Sequence, residues 1–325
     1  MSGFEPVLEI RDLAVHFPAR RGLFGRTPQP VKAVDGVDLV IGAGETLGLV
    51  GESGCGKSTL SNAIVGLVPP TRGSIRVRGS EVAGASRKAL YALRRDVQMI
   101  FQDPALSLNP RLTVGAAIGE PLAVRGIASG RALEERVHAL LIQVGLRPEH
   151  AGRYPHQFSG GQRQRIVIAR ALALEPALVV CDEPVSALDV SVRAQILNLL
   201  IELQRRMGVA YLFVSHDLNV VRHVCDRVAV MYLGRVVEQA SRDALFADPR
   251  HPYTRALMSA VLEADPLAQR AKPRTVLRGE PPSPSNVPQG CAFHTRCPLA
   301  TEVCLQQRPL LTPRPGNGLV ACHHA

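Results

Sequence analysis

Two segments near the start of the chain alternate apolar and polar residues. Residues 7–17 (VLEIRDLAVHF) and 31–41 (VKAVDGVDLVI) place hydrophobic side chains at about every second position. This period of two is typical of a β-strand with one buried face. The segment between them, residues 18–30, is rich in proline, glycine and arginine, which predicts an exposed loop. The chain is therefore expected to begin with two strands joined by a long loop.

Further along, short apolar runs are followed by segments with the period of a helix. The run ETLGLV ends at a glycine-rich turn, after which Leu60, Ile64 and Leu67 fall on one helical face. Residues 190–207 form a second amphipathic pattern, with apolar positions at Val192, Ile196, Leu199, Leu200 and Leu203. Strands that alternate with helices in this way predict an α/β fold.

Composition and charge narrow the class of protein. With 325 residues, 46% hydrophobic and 20% charged, the chain is globular and long enough for about two domains. It has no apolar run long enough to span a membrane, and its first residues do not resemble a signal peptide, which favours the cytoplasm. The net charge of +10 makes polyanions plausible partners, but only 4% of residues are aromatic and Trp is absent, which argues against nucleic acid.

The glycine-rich turn carries the clearest chemistry. Residues 51–58, GESGCGKS, match the pattern G-x-x-x-x-G-K-[ST] between a predicted strand and a predicted helix. Such a loop turns backbone amides toward phosphate; Lys57 would reach the β and γ phosphates, and Ser58 would bind Mg²⁺. The alternative is a chance match to the pattern, and the predicted strand and helix on either side of the loop argue against it. The residues assigned to the nucleotide here are Gly51, Glu52, Ser53, Gly54, Cys55, Gly56, Lys57, Ser58 and Thr59.

Two later segments add candidate phosphate chemistry. The apolar strand that begins at Leu178 ends in Asp182 and Glu183, where a carboxylate pair could hold Mg²⁺ and polarise a water, or could simply be a solvated strand end. The segment FSGGQRQR precedes a predicted helix. Its residues Ser159, Gly160, Gly161 and Gln162 would present a second phosphate-binding helix N-terminus.

Together these motifs resemble the nucleotide-binding subunits of ABC transporters. The loop at 51–58 resembles Walker A, residues 158–162 resemble the signature motif with Phe158 in place of leucine, and residues 178–183 resemble Walker B. The other correspondences are Gln102 with the Q-loop glutamine, Asp189 in SALD with the D-loop, His216 with the switch histidine, and Phe17 with an aromatic residue that stacks on adenine. The resemblance implies a P-loop NTPase fold with a helical subdomain.

The resemblance also implies how the site works. Two such domains pack head to tail, so that each ATP lies between the Walker motifs of one chain and the signature motif of the other. Mg²⁺ would be bound with Ser58, Gln102 and Asp182, while Glu183 would act as catalytic base and His216 would contact the γ phosphate. The alternative for His216 is that it is an ordinary histidine at the end of a strand, which would be the expected interpretation if the other motifs were absent.

The C-terminal part resembles the ATPases of dipeptide and oligopeptide importers, a group that includes nickel and glutathione importers. The resemblance rests on HPYTRAL (251–257), GEPPSPSNVPQGC (279–291) and the cysteine-rich end, while SALDVSV is similar to the second of two unlike ATPases in such systems. It implies a sister ATPase in a heterodimer or a homodimer, two permease chains, an extracytoplasmic binding protein and a peripheral place on the cytoplasmic face of the membrane. The alternative class is a soluble ABC ATPase acting on nucleic acid.

We expect an ATPase domain at 1–240 with its helical subdomain at about 103–173, and an extension at 241–325. The extension should be largely helical over 241–278 and extended over the proline-rich segment 280–288.

Four of the seven cysteines, Cys291, Cys297, Cys304 and Cys322, fall in the last 35 residues, which we call the cysteine tail (291–325). Thiolates favour iron–sulfur clusters or zinc, and the wide spacing is unlike that of common zinc sites. Similar tails in the importer ATPases are associated with a [4Fe-4S] cluster. We therefore expect such a cluster, with Zn²⁺ or free thiols as alternatives.

Overall fold

The computed structural model describes residues 6–18, 29–261, 277, 279–313 and 318–325. Its strands are β1 (Leu8–Phe17), β2 (Val31–Ile41), β3 (Thr46–Val50), β4 (Arg72–Val77), β5 (Ser80–Glu81), β6 (Val97–Ile100), β7 (Leu178–Asp182), β8 (Ala210–Val214), β9 (Arg227–Tyr232), β10 (Arg235–Ser241), β11 (Thr312–Pro313) and β12 (Leu319–Val320). Its α-helices are α1 (Lys57–Ile64), α2 (Arg87–Leu93), α3 (Pro104–Ser107), α4 (Val114–Val124), α5 (Gly130–Gln143), α6 (Gly160–Leu172), α7 (Val190–Met207), α8 (Leu218–Val224), α9 (Arg242–Ala247), α10 (Pro252–Ser259) and α11 (Glu302–Gln306).

The chain divides into two compact units. The first contains the described residues of 1–8, 40–45 and 76–214, and the second contains those of 9–39, 46–75 and 215–325. Each unit is therefore built from separate stretches of the sequence.

In the first unit, three parallel strands lie side by side. Strand β7 pairs with β6 and β8, with Val180 opposite Met99 and Leu212. Every residue of β8 and the first four of β7 are buried, which explains why these strands read as continuous apolar runs. The unit also contains helices α2 to α7, and α7 turns Ile196, Leu197, Leu199, Leu200 and Leu203 inward.

In the second unit, β3 and β9 pair in parallel and β10 runs antiparallel to β9. The end of the chain extends this arrangement, because β12 pairs antiparallel with β10 (Val320 opposite Glu238) and β11 pairs with β12. Helices α1, α8, α9, α10 and α11 belong to this unit.

The structure confirms most predicted elements and corrects one. The mixed α/β class, the strands over 8–17 and 31–41 and the helix over 190–207 are as expected. The prediction that Leu67 continues the face of α1 is wrong, because the helix ends at Ile64 and the Leu67 side chain is 53% exposed. Gly66 takes a positive φ of 69° and the Leu67 N–H donates to the Asn62 carbonyl, a glycine-terminated helix end.

Some predicted segments lie outside the described residues. These are most of the arginine-rich loop (19–28) and the later part of the predicted helical extension (262–276 and 278). Within the part of the chain that the structure describes, no helix has the length and apolar character needed to span a bilayer.

Candidate nucleotide site

The phosphate loop joins β3 to α1 and depends on two glycines. A Cβ on Gly51 would lie 2.2 Å from the Met231 carbonyl oxygen. Gly56 has φ 110°, and a Cβ there would lie 2.0 Å from the Ala33 carbonyl oxygen. Any larger residue would collide with backbone at these positions, so the loop conformation requires glycine.

Lys57 is turned back onto the loop. Its Nζ donates to the carbonyl oxygens of Gly51 (2.8 Å) and Glu52 (2.9 Å), and the residue is only 6% exposed. The neighbouring Cys55 is also buried, and burial raises the pKa of its thiol although Lys57 acts in the opposite direction. The amine of Lys57 is therefore fixed beside the loop.

The loop also has an exposed side. Ser53, Gly54 and Ser58 are exposed, and Thr59 is half-buried in the first turn of α1. Gly56 precedes this helix and contributes no side-chain cap, so the first amides of α1 are not capped from that position. Backbone amide donors at a helix N-terminus suit an anionic ligand.

The carboxylate pair lies at the carboxyl end of β7. Asp182 is the last residue of the strand, and Glu183 follows in a left-handed conformation with φ 49°. A non-glycine residue in this region is strained by about 1–3 kcal/mol, and such strain is concentrated at functional sites. The Glu183 N–H donates to the Val214 carbonyl oxygen at 3.0 Å, which holds the strained residue at the end of the sheet.

Gln102 contacts this carboxylate. Its Nε2 donates to Glu183 Oε2 at 3.1 Å, across 81 positions of sequence. The structure thus brings together the candidate Q-loop glutamine and the candidate base of the first unit.

The candidate signature motif forms the N-terminus of α6. Ser159 is the N-cap: its Oγ accepts the Gln162 N–H (3.3 Å), while Gln162 Oε1 accepts the Ser159 N–H (3.1 Å). This reciprocal pair is a capping box. Ser159 and Gly160 are exposed.

Gly161 has a packing role that the sequence did not reveal. A Cβ on Gly161 would lie 2.3 Å from Cγ1 of Val192 on α7, whereas one on Gly160 would meet Leu188 Cδ2 at 3.6 Å, an ordinary contact. Gly161 therefore permits close approach of two helices, and Gly160 does not need to be glycine for that purpose.

The remaining candidates lie at the ends of elements. Phe17 ends β1 and is 40% exposed. Asp189 is exposed at the start of α7, and His216 is exposed shortly after β8. These positions are consistent with contact to a ligand or a partner chain.

A buried group at residues 238–253 was missed by reasoning from sequence. Glu238 accepts the N–H groups of Arg250 and His251, and His251 Nδ1 accepts the Tyr253 N–H at 3.0 Å. Burial lowers the pKa of His251 to about 3 and raises that of Glu238. The sequence His-Pro-Tyr forms this turn: His251 caps α10, Pro252 is the first residue of α10, and Tyr253 is buried.

The prediction of an iron–sulfur cluster at Cys291, Cys297, Cys304 and Cys322 is wrong. Within the described residues, which include all four, no group of three or more His, Cys, Asp or Glu is arranged to hold a metal ion. This finding also removes the zinc alternative.

The four cysteines differ in their surroundings. Burial raises the pKa of Cys291 to about 11 and raises that of Cys297. Cys304 is buried beside Thr301 Oγ1 and His324 Nε2, and Cys322 Sγ accepts the His324 N–H. The cysteines thus take part in packing and weak hydrogen bonds.

Comparison with known proteins decides the family. Residues 34–186 match the family model "ABC transporter", and residues 237–304 match "Oligopeptide/dipeptide transporter, C-terminal region". The chain is 51% identical over 320 residues to the oligopeptide transport ATP-binding protein AppF of Bacillus subtilis, covering 98% of this chain and 97% of that protein. The chain belongs to the ATP-binding proteins of ABC peptide transporters.

Other members of this ABC transporter family are similarly close. The oligopeptide transport ATP-binding protein OppF of Escherichia coli is 54% identical over 312 residues, covering 95% of this chain and 93% of that protein. Among solved structures, the ATP-binding cassette MJ0796, a dimer in a post-hydrolysis state bound to ADP and phosphate, is 31% identical with a TM-score of 0.64, covering 72% of this chain and 98% of that one. The fold is thus that of a P-loop ABC ATPase, and ATP is its nucleotide.

Proposed function

We propose that this chain hydrolyses ATP to power the import of peptides through an ABC permease. The observation that carries the proposal is the similarity over nearly the whole chain to oligopeptide transport ATP-binding proteins, including the C-terminal region at 237–304. An ABC ATPase of another transport class would be expected to match over the ATPase part alone.

In the proposed site, the loop amides and Lys57 bind the phosphates of ATP. Ser58, Gln102 and Asp182 offer hydroxyl, amide and carboxylate oxygens, the hard donors that Mg²⁺ requires. Bound Mg²⁺ would neutralise charge on the phosphates. The fixed amine of Lys57 and the exposed start of α1 support this assignment.

Glu183 is the proposed general base. Its carboxylate would accept a proton from the attacking water, and its hydrogen bond with Gln102 would make the position of the base depend on the Q-loop. His216 would donate to the γ phosphate. The strained backbone of Glu183 supports a functional role rather than a solvated strand end.

Residues 159–162 would act on the ATP of a second subunit. The start of α6 carries its own capping box and is exposed, which supports a role toward a partner. The related cassette MJ0796 was solved as a dimer. Asp189 would contact the same interface, and Phe17 would stack on adenine.

The proposed assembly contains a sister ATPase, in a heterodimer or a homodimer, with two permease chains and an extracytoplasmic binding protein. The chain would lie on the cytoplasmic face of the membrane, with the ATPase domain at 1–240, its helical subdomain at about 103–173, and the cysteine-rich extension at 241–325. No role in binding nucleic acid is proposed.

The test is ATP-driven uptake of labelled oligopeptides into vesicles that contain the complete transporter. We expect uptake with the wild type and a loss of at least about 100-fold in ATP turnover and uptake with Glu183→Gln, because a carboxamide cannot accept the proton. Glu202→Gln, on the exposed face of α7, is the matched control and should be active. ATP-driven uptake of nickel or glutathione instead of peptide would contradict the proposal that peptides are the substrate. Full activity of Glu183→Gln would contradict the proposal that Glu183 is the general base.

A further inference from the structure

Glu52, the second residue of the phosphate loop, is held by two residues far along the chain. Arg296 donates through Nη1 and Nη2 to the two oxygens of the Glu52 carboxylate, at 2.8 and 3.0 Å. The Glu52 N–H donates to the hydroxyl of Tyr253 at 2.8 Å. Both partners belong to the proposed extension, more than 200 positions after the loop.

These contacts lie mostly away from solvent. The Arg296 side chain is 6% exposed and that of Glu52 is 27% exposed, so the two-point pair is well shielded from water. Tyr253 is fully buried, with its ring 4.8 Å from that of Tyr232 and 5.5 Å from that of Phe293. A fixed aromatic cluster therefore sets the position of the hydroxyl that receives the Glu52 N–H.

The same residue also contacts the lysine of the loop. The Glu52 carbonyl oxygen accepts one of the two backbone-directed hydrogen bonds of Lys57 Nζ. The side chain and N–H of Glu52 are thus fixed by the extension, and its carbonyl fixes Lys57. A shift of Glu52 would displace the amine that serves the phosphates.

We propose that Arg296 and Tyr253 are positioning residues for the phosphate loop, so that the extension preorganises the ATP site through Glu52. This inference rests on the nucleotide role proposed for the loop. Preorganisation reduces the ordering that the ligand must impose, so its loss should weaken ATP binding more than it slows the chemical step.

The test measures ATP binding to the full chain and steady-state ATPase activity of the complete transporter. With Arg296→Gln we expect Kd and KM for ATP to rise about tenfold and kcat to change less than about twofold, because the loss of a two-point hydrogen bond between charged groups is transmitted in part to the loop. Arg296→Lys should give a smaller rise, because the charge is kept and the two-point geometry is lost. Arg308→Gln, an exposed arginine of the cysteine tail, is the matched control and should leave Kd unchanged.

A double variant separates positioning from general damage to the fold. If Arg296 acts through Glu52, the double variant Glu52→Gln with Arg296→Gln should have an ATP affinity no lower than that of the single variant that binds ATP more weakly. Tyr253→Phe removes only the hydroxyl and should raise Kd while the melting temperature stays within a few degrees of the wild type.

Unchanged Kd and KM in both Arg296→Gln and Tyr253→Phe would overturn the inference. Additive losses in the double variant would also overturn it, because they would show that Arg296 acts independently of Glu52. If the wild-type chain itself failed to bind ATP, the proposed nucleotide role of the loop would fail first, and this result is distinguishable from both others.

Discussion

The phosphate loop and the start of α6 are both glycine-containing helix N-termini, but they are supported in different ways. The loop is fixed by its own lysine and by two residues of the extension, Tyr253 and Arg296. The start of α6 is fixed locally by the Ser159–Gln162 capping box and by the packing of Gly161 against Val192, and its residues Ser159 and Gly160 are exposed. We infer that variants of the loop act on the single chain, whereas variants of the α6 start act on a pair of chains.

The largest effect is expected at the loop itself. Lys57→Ala removes the fixed amine, so ATP affinity of the isolated chain should fall by at least about 100-fold. Fluorescence titration with an ATP analogue measures this loss. Lys88→Ala, on the exposed surface of α2, is the control, and equal affinity of the two variants would contradict the role of Lys57.

The next prediction concerns Gly161. Gly161→Ala should destabilise the chain by about 1–3 kcal/mol, because the new methyl group collides with Val192. Denaturant unfolding should show recovery in the double variant Gly161→Ala with Val192→Ala.

That double variant also tests the comparison between the two sites. In isolation it should bind ATP as the wild type does, because residues 159–162 are proposed to act on the ATP of a second subunit. Weaker ATP binding by the isolated double variant would show that the start of α6 acts on the ATP of its own chain. The proposed difference between the loop and the start of α6 would then be wrong.

The pH dependence of stability should reveal how the loop is supported, because His251 caps the helix that carries Tyr253. The folded pKa of His251 is lowered to about 3, so between pH 6.5 and 3 the unfolded chain takes up a proton that the folded chain does not. The free energy of unfolding should therefore fall by about 1.4 kcal/mol per pH unit from this group as pH decreases. The raised pKa of the adjacent Glu238 acts in the opposite sense.

A variant of His251 isolates the contribution of this histidine to the pH dependence of the free energy of unfolding. His251→Asn keeps a capping side chain and removes the titrating ring, so its stability should depend less on pH than that of the wild type. Exposed His156→Asn is the control. Identical slopes for the wild type and His251→Asn in urea unfolding would contradict the assignment.

The smallest effect is expected at Ser159. Ser159→Ala removes the side-chain cap of α6 and should lower the free energy of unfolding by about 1 kcal/mol, while Ser159→Thr should lose less. Thermal unfolding measures both. ATP affinity of the isolated chain should be unchanged in each variant, and a drop would again contradict the distinction between the two sites.

Local chemistry was predictable from sequence, and contacts over long sequence separations were not. The pattern from β3 through the loop to α1 predicted a phosphate loop, and the apolar period of 190–207 gave the bounds of α7. The attachment of Glu52 to Arg296 spans 244 positions, and no local pattern reveals such a pair. The error at the cysteine tail has a related cause: spacing along the chain does not show whether side chains converge in an arrangement that can hold a metal ion.

The pairing of β12 with β10 has a consequence for handling the protein. Strand β10 pairs with β9 on one side, and the last residues of the chain hydrogen-bond to its other side through β12. Gly318 lies so close that a Cβ there would be 2.2 Å from the Gln239 carbonyl oxygen. A chain shortened before residue 318 would leave the amides and carbonyls of β10 open to strands of other molecules, which is a route to aggregation. The final eight residues are therefore best kept intact.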